Sequence, residues 1–277
     1  MTEKFRSVLF APGNKSELLK KLPKIQPDAA IVDLEDAVPD TEKAKARENF
    51  QEFSLSEETK ELPVFPRVNP ISSTHFEPDV RAIPPQVSAI VIPKINSVEE
   101  LKEAERILSE NSVEANIIVG IETVLGLVSA TEILRNGSII GAYFGAEDYV
   151  LDLGGFRTSG NDEVLLARSQ MGIASRLTGV PVIDQIVADF SDSERFMEEA
   201  YQARALGFSG KLCIHPSQVP LANKSFSYSE EEITRAKEML AVYDQAVSEG
   251  SASVVYDGQM IDEALAKQAR RILGLSD

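Results

Sequence analysis

The chain has 277 residues, a formal charge of −16 and a pI near 4.7, and this acidity, without a basic stripe, excludes a typical nucleic-acid binder and disfavours anionic membranes. The single cysteine, Cys213, excludes an internal disulfide. Because we find no signal-like N-terminus and no apolar run of about 18 residues, we expect a cytoplasmic protein without a membrane partner.

Eight short apolar runs, many rich in β-branched residues, alternate with charged segments of helical period. Most of the runs are continuously apolar, which is typical of strands covered on both faces in a parallel sheet. The predicted strands are Ser7–Pro12, Ala29–Glu35, Pro63–Asn69, Ala89–Lys94, Ala115–Glu122, Ile139–Asp148, Pro181–Ile186 and Lys211–His215.

The segments between these strands predict helices, and Ser97 and Ser191 are expected to cap two of them. The Pro- and Ser-rich segment 70–84 predicts a loop with a short helix. The predicted helices are Ser16–Lys24, Asp40–Phe53, Val98–Leu108, Thr123–Arg135, Asp162–Thr178 and Ser193–Leu206.

This alternation predicts an α/β fold, a (β/α)₈ TIM barrel over residues 1–225. An open doubly wound sheet is the alternative, although no GxGxxG motif follows the first strand. Residues 226–277 predict a C-terminal helical extension, with helices at Glu230–Val247 and Glu263–Leu273 joined through a flexible Gly-Ser connector. We expect this extension to pack on a neighbouring subunit.

Two acids, Glu122 and Asp148, lie 26 residues apart, and each follows an apolar run. This spacing fits one strand–helix–strand unit and places both acids at the carboxyl ends of neighbouring parallel strands, where barrel enzymes have their active sites. Two hard oxygen ligands without a His or Cys cluster favour Mg²⁺ or Mn²⁺ over zinc. Helix caps or ion-pair partners are the alternative roles.

Other predicted strands also end in charged residues. Asp33, Glu35 and Asp36 follow the second strand, and at least one of them is expected to hold a cation. Arg67 suits a substrate carboxylate or an internal ion pair. For Lys94 we expect a structural or electrostatic role rather than a Schiff base. Strands seven and eight bring Asp184 and His215 to the same end, and for His215 a structural role is favoured.

Small residues around Gly145, Ala146 and Glu147 leave amides open at the start of a helix, where an anion can bind. The Pro12-Gly13-Asn14 turn is a second candidate anion site, followed by several lysines, or else an ordinary turn.

Taken together, these residues resemble the HpcH/HpaI aldolase and citrate lyase beta-subunit family, and most closely its citrate lyase beta-like branch, which includes citramalyl-CoA and malyl-CoA lyases. The motifs occur in order along nearly the whole chain. They are Val8–Asn14, Asp33–Val38, Arg67–Asn69, Pro93-Lys94, Ile121–Thr123 with Gly126, Gly145–Asp148, Gly210-Lys211, His215–Gln218 and Met260–Asp262.

The resemblance implies a homotrimeric or hexameric barrel enzyme that cleaves a 3-hydroxyacyl-CoA, such as malyl-CoA or citramalyl-CoA, into a 2-oxo acid and an acyl-CoA. It assigns Mg²⁺, with Mn²⁺ as an alternative, to Glu122 and Asp148, and it assigns the product or the enolate to Arg67. The resemblance also assigns binding of the substrate carboxylate to the backbone amides of 145–148, and contacts with coenzyme A to Phe10 and Lys21. A further basic CoA contact is replaced by Glu17.

The same resemblance assigns to Asp262 the acid/base role in a neighbouring subunit's active site, whereas its spacing alone indicates a helix N-cap. A malyl-CoA-type thioesterase, with malate synthase as a related side activity, and a subunit that acts on a carrier-protein thioester are the alternative functions.

Overall fold

A computed structural model describes residues 5–275. The chain forms two compact units, one ending at Phe226 and the other starting at Ser227. In the first unit eight parallel strands close into a barrel in chain order, which confirms the predicted TIM-barrel fold. The strands are β1 (Ser7–Pro12), β2 (Ala29–Asp33), β3 (Val64–Arg67), β4 (Ala89–Ile92), β5 (Asn116–Ile121), β6 (Ile139–Phe144), β7 (Val182–Asp184) and β8 (Gly210–Cys213).

Helices surround the barrel. Successive residues of each strand face opposite sides, so one set points into the barrel and the other packs against these helices. On β2, Ile31 belongs to the apolar cluster that fills the barrel, whereas Ala30 and Val32 belong to the larger cluster packed against the helices. These helices are α1 (Ser16–Leu19), α2 (Leu22–Ile25), α3 (Lys43–Ser54), α4 (Phe76–Arg81), α5 (Val98–Glu110), α6 (Val124–Leu134), α7 (Ala146–Leu153), α8 (Asp162–Thr178), α9 (Ser193–Ala205) and α10 (Gln218–Ser225).

The second unit contains α11 (Glu230–Ser248), the antiparallel pair β9 (Val254–Tyr256) and β10 (Gln259–Ile261), and α12 (Glu263–Ile272). It has its own apolar core, in which Ile261 and residues of both helices are buried. The hairpin was not expected from the sequence. Its turn is Asp257-Gly258, with φ of +49° and +74°, which is the turn chemistry that two-residue hairpins favour.

Local differences from the predicted elements have physical reasons. The helix expected at 16–24 is divided into α1 and α2, and α2 has a proline in its first turn. Strand β6 ends at Phe144 rather than Asp148, because helix α7 begins at Ala146. Ser97 caps α5 as predicted.

The prediction that Ser191 caps a helix is wrong, since Asp192 caps α9 instead. Within residues 5–275, no helix is both long enough and apolar enough to cross a bilayer.

Candidate active site at the barrel mouth

A cavity of about 240 Å³ opens at the carboxyl ends of the strands. We call this cavity the mouth. It brings together acids, one arginine and aromatic rings from five strands or the loops that follow them. The residues that line it include Phe10, Asp33, Asp36, Arg67, Glu122, Tyr143, Gly145, Ala146, Glu147 and Asp148.

Glu122 follows β5 directly and is buried. Its carboxyl group lies against Gly145, the residue between β6 and α7, because β5 and β6 pair in parallel. A Cβ atom at position 145 would lie 2.5 Å from Glu122 Oε1. The glycine is therefore required by the close approach of this carboxylate, in addition to its place at a helix N-terminus.

Asp148 lies in the first turn of α7 and is half-buried at the mouth. Glu122 and Asp148 both line the mouth, and the charge of Asp148 adds to burial in raising the pKa of Glu122. The sequence-based expectation that β5 and β6 bring these two acids to one end of the barrel matches the structure. Lys94 Nζ lies 3.7 Å from Asp148 Oδ2.

Arg67, at the end of β3, is held from two sides by acids. Its Nε and one terminal nitrogen bond to the two oxygens of Asp33 at 2.8 and 2.6 Å, and its other terminal nitrogen lies 3.1 Å from Glu35 Oε2. The guanidinium also lies 4.9 Å above the Phe10 ring, a favourable cation–π arrangement. Although burial opposes it, Arg67 holds the pKa of Asp33 below its usual value.

Lys94 carries its ammonium group between three acids: Glu35 (2.6 Å), Asp36 (3.1 Å) and Asp148 (3.7 Å). Burial by itself would lower the pKa of Lys94, but the bond to Glu35 raises it above the usual value. A neutral amine, as a Schiff base requires, is thus disfavoured. The residue has a left-handed backbone, with φ of +56°.

Burial raises the pKa of Glu35 to about 7, with the nearby Glu122 adding to the shift, even though Arg67 opposes it. Burial likewise raises the pKa of Glu122. These raised pKa values show that the positive charges of Arg67 and Lys94 do not fully compensate the negative charge of the buried acids. An additional cation at the mouth would therefore be stabilised.

The side chains present suit a magnesium ion. Glu122 and Asp148 both line the mouth, and Glu122 Oε1 lies beside Gly145 there. No group of three or more His, Cys, Asp or Glu side chains suited to a metal occurs among residues 5–275. Magnesium commonly binds through one or two carboxylates and completes its octahedral shell with water or substrate oxygens. The two acids fit that donor set.

The first turn of α7 also faces the mouth, through Ala146, Glu147 and Asp148. Backbone amides of a first helical turn have no partner within the helix and can bind an anion. The Glu147 side chain points to Arg157, whose Nε is 3.1 Å from its Oε1. For Glu147, the backbone rather than the carboxylate is therefore the group available to a ligand.

A buried network lies behind the acids of β2. Lys43 Nζ donates to the carbonyl oxygens of Leu34 and Glu35 (both 2.9 Å) and to Asn69 Oδ1 (2.8 Å). Asn69 in turn bonds to Asp79. These bonds fix the ends of β2 and β3, from which Asp33, Glu35 and Arg67 extend. Lys43 was not among the residues predicted from the sequence.

Tyr143 on β6 was also missed. It is almost fully buried inside the barrel, lines the mouth from below and meets the Phe10 ring edge-on at 6.4 Å. Burial raises the pKa of its phenol well above the usual value. The available signal was Gly120, an isolated glycine in a strand of branched residues, since such glycines mark a close approach.

Some predicted residues lie elsewhere. Asp184 does not reach the mouth: it is fully buried in ion pairs with Arg168 (2.9 Å) and Lys211 (2.6 Å), which belong to α8 and β8. Its assignment to the active-site end is corrected, because a polar residue near a strand end can face the helices instead. His215 is half-buried, stacks on Phe190 and bonds to Ser217.

The resemblance singled out two further residues. Lys21 is exposed between α1 and α2. Asp262 lies in the C-terminal unit, where it caps α12 by accepting bonds from the amides of Ala264 and Leu265.

Comparisons with known proteins find families, relatives and a solved structure that are similar to this chain. A family model described as HpcH/HpaI aldolase/citrate lyase matches residues 6–216. A second model, described as a C–C bond lyase of the TIM-barrel fold, matches residues 168–276.

Individual relatives match over nearly the whole length. The chain is 44% identical over 272 residues to a citrate lyase subunit beta-like protein of Deinococcus radiodurans, covering 97% of this chain and 96% of that protein. It is 30% identical over 296 residues to the mitochondrial citramalyl-CoA lyase of Rattus norvegicus, covering 98% of this chain and 86% of that protein. The crystal structure of CitE from Mycobacterium tuberculosis, in complex with magnesium, acetoacetate and coenzyme A, matches with a TM-score of 0.85 and 28% identity, covering 99% and 98%.

Proposed function

Since the chain belongs to the HpcH/HpaI aldolase/citrate lyase family, we propose that this magnesium-dependent carbon–carbon lyase cleaves a 3-hydroxyacyl-CoA, such as malyl-CoA or citramalyl-CoA. The products are a 2-oxo acid and an acyl-CoA. The enzyme class follows from the family, and the substrate is the part that we infer.

The observation that carries this proposal is the pairing of two acids with an immobilised arginine in one small cavity. Glu122 and Asp148 supply hard oxygen ligands, and Arg67 supplies a fixed positive charge beside them. A magnesium ion held by the two acids would act as a Lewis acid on the hydroxyl and carboxylate oxygens of the substrate.

The chain's own groups have separate tasks. Cleavage transfers the hydroxyl proton to water, turns that hydroxyl into the carbonyl of the 2-oxo acid, breaks the bond between carbons 2 and 3, and leaves the electron pair of that bond on the thioester enolate. Arg67, kept rigid by Asp33, stabilises the negative charge that develops on oxygen. The first-turn amides of α7 bind the substrate carboxylate. Asp262 then donates a proton to the enolate carbon.

The coenzyme A part of the substrate extends out of the mouth. Phe10 already packs under Arg67, and we infer that its ring edge contacts the pantetheine arm. Lys21 is exposed and no ion pair of its side chain with the described residues is found, so its ammonium is available to a CoA phosphate.

We also infer that the protein is a homotrimer or hexamer whose subunits share active sites. Helices α6 and α8 contact each other and expose large apolar side chains, among them Val128 (75% exposed) and Leu166 (72% exposed). Exposed apolar surface of this kind is typical of subunit contacts. Asp262 of one subunit would serve the mouth of a neighbour.

Sharing of active sites can be tested by mixing two inactive variants, Asp262→Ala and Glu122→Ala. After denaturation and refolding together, activity should return, because some active sites then combine an intact Glu122 with an intact Asp262 from the neighbour. Activity that stays at the level of the separate variants would contradict shared sites. Light scattering on wild type gives the oligomeric state independently.

The reaction itself is tested with purified protein and malyl-CoA or citramalyl-CoA. Release of 2-oxo acid is measured with phenylhydrazine, and release of free CoA thiol is measured separately, with and without Mg²⁺. The lyase gives 2-oxo acid without thiol. Thiol release without oxo acid would instead identify a thioesterase.

The metal ligands give the matching variants. Glu122→Gln and Asp148→Asn should each reduce turnover by about 10³-fold or more, the loss expected when a catalytic metal is no longer held. Glu103→Gln, an exposed acid on α5, is the control and should be as active as wild type. Wild-type, EDTA-insensitive turnover in both ligand variants would refute the mechanism.

A further inference from the structure

Tyr143 is held in one position by the glycine opposite it. Gly120 on β5 is in register with Tyr143 on β6, and a Cβ atom at position 120 would lie 2.5 Å from the Tyr143 hydroxyl oxygen. The ring is 2% exposed. The phenol therefore fills the space that the absent side chain leaves, and its hydroxyl has a defined place inside the barrel.

That hydroxyl has no partner in good hydrogen-bond geometry within the described part of the chain, and neither has Glu122 Oε2. The two side chains adjoin: both line the mouth, and Tyr143 is paired across the strands with Gly120, two residues before Glu122. The neighbouring Arg67 is a donor only, and the Phe10 ring, whose centroid lies 6.4 Å from that of Tyr143, has no oxygen or nitrogen that could accept a bond. Below the phenol the barrel is apolar, lined by residues such as Val8, Ile31 and Ile183.

A buried donor and a buried acceptor that face each other without another partner are expected to bond, because an unmade bond costs each group its lost hydration. The other oxygen, Oε1, lies beside Gly145 at the mouth. A donor on Oε2 would thus leave Oε1 directed towards the cavity.

We infer that Tyr143 is a positioning residue whose hydroxyl donates to Glu122 Oε2 and thereby directs Oε1 towards the bound cation. The inference rests on the proposed function, since it assumes that Glu122 binds a divalent metal. By this inference Tyr143, which lies inside the barrel and is neither an acid nor an arginine, also determines the metal affinity of the mouth.

The test is the affinity of the full-length protein, freed of metal beforehand, for Mn²⁺. It is read from the electron paramagnetic resonance signal of free Mn²⁺ and needs no substrate. Tyr143→Phe should weaken Mn²⁺ binding about 10- to 100-fold, the usual effect of losing a partner that orients a metal ligand. The thermal unfolding midpoint of Tyr143→Phe, measured with EDTA present, shows whether this variant is folded in the absence of metal. Tyr201→Phe, which removes an exposed phenol on α9, is the control and should bind Mn²⁺ like wild type.

The outcomes separate the two proposals. If wild type binds no Mn²⁺, the proposed function fails. If wild type binds Mn²⁺ and Tyr143→Phe binds it equally well, the positioning role is refuted. Should Tyr143→Phe not fold, a crystal structure of wild type with Mn²⁺ answers the same question. An oxygen–oxygen distance between Tyr143 and Glu122 of about 2.5–3.0 Å supports the inference, and one beyond about 3.5 Å overturns it.

Discussion

The ion pair between Asp33 and Arg67 keeps the guanidinium in place at the mouth, and it can be broken selectively. Asp33 accepts two bonds from Arg67 (2.8 and 2.6 Å) and two from the amides of Glu35 and Ala37 (2.9 and 3.0 Å). In Asp33→Asn the charge is lost, and one of the accepting oxygens becomes an amide nitrogen that faces other donors.

The expected loss follows from burial. Removing one partner of a buried pair costs about 3–5 kcal/mol, because the other charge remains without compensation. Arg67 would keep Glu35 Oε2 at 3.1 Å. We therefore expect a loss of about 3 kcal/mol in the free energy of unfolding, at the lower end of that range. Since the guanidinium is then held only by Glu35 and can shift, kcat/KM should fall by about 10- to 100-fold.

The chain offers a matched control in Asp28→Asn. Arg6 binds Asp28 with the same two-bond geometry, at 2.7 and 2.8 Å. The Arg6 side chain is 39% exposed, against 12% for Arg67, so the control should lose less than about 1 kcal/mol and no activity.

Urea unfolding followed by circular dichroism, with EDTA present, measures both variants, and the lyase assay measures kcat/KM. Equal losses of stability in the two variants, or an unchanged kcat/KM in Asp33→Asn, would refute the reasoning.

Two further predictions concern the same cavity. Gly145→Ala should reduce activity and Mn²⁺ affinity at least about 10-fold, because the added Cβ would lie 2.5 Å from Glu122 Oε1. The control is Gly137→Ala, whose Cβ meets no atom within 4 Å and which should behave like wild type. Activity equal to wild type in both variants would contradict this prediction. Because the pKa of Glu35 rises from 4.5 to about 7 on folding, the folded state binds more protons between these values and stability should fall as pH rises from about 4.5 to 7. Glu35→Gln should flatten that fall in urea unfolding with EDTA, and a slope as steep as that of wild type would count against the assignment.

Much of the barrel was predictable because it depends on local pattern. Continuous apolar runs such as that before Glu122 occur where both faces of a strand are covered, and charged residues just after them mark the end at which chemistry is located. The same reasoning brought Glu122, Asp148, Arg67 and Lys94 to one end of the barrel, where the structure has them.

Pairing between distant residues was not predictable in the same way. A strand end has two faces, and nothing local indicated that Asp184 turns towards Arg168 and Lys211 rather than to the mouth. Lys43 was missed for a related reason: its partners are mainly carbonyl oxygens of another loop, which carry no side-chain signature. Its role depends on tertiary packing alone.

Catalytic roles were the least accessible. The resemblance assigns to Asp262 a proton transfer in a neighbouring subunit, and its contacts in the chain are those of a helix cap. A single chain contains no information on what the side chain meets across a subunit boundary. That assignment remains a prediction until the mixing experiment is done.

The left-handed backbone at Lys94 has a consequence for engineering. Glycine adopts this conformation without the steric cost, roughly 1 kcal/mol or more, that a side chain incurs there. Lysine at this position is explained by its charge among three carboxylates and not by the folding preference of the main chain. A directed-evolution campaign that selects for heat resistance alone would therefore be biased towards discarding it, and such a screen should be coupled to a measurement of turnover.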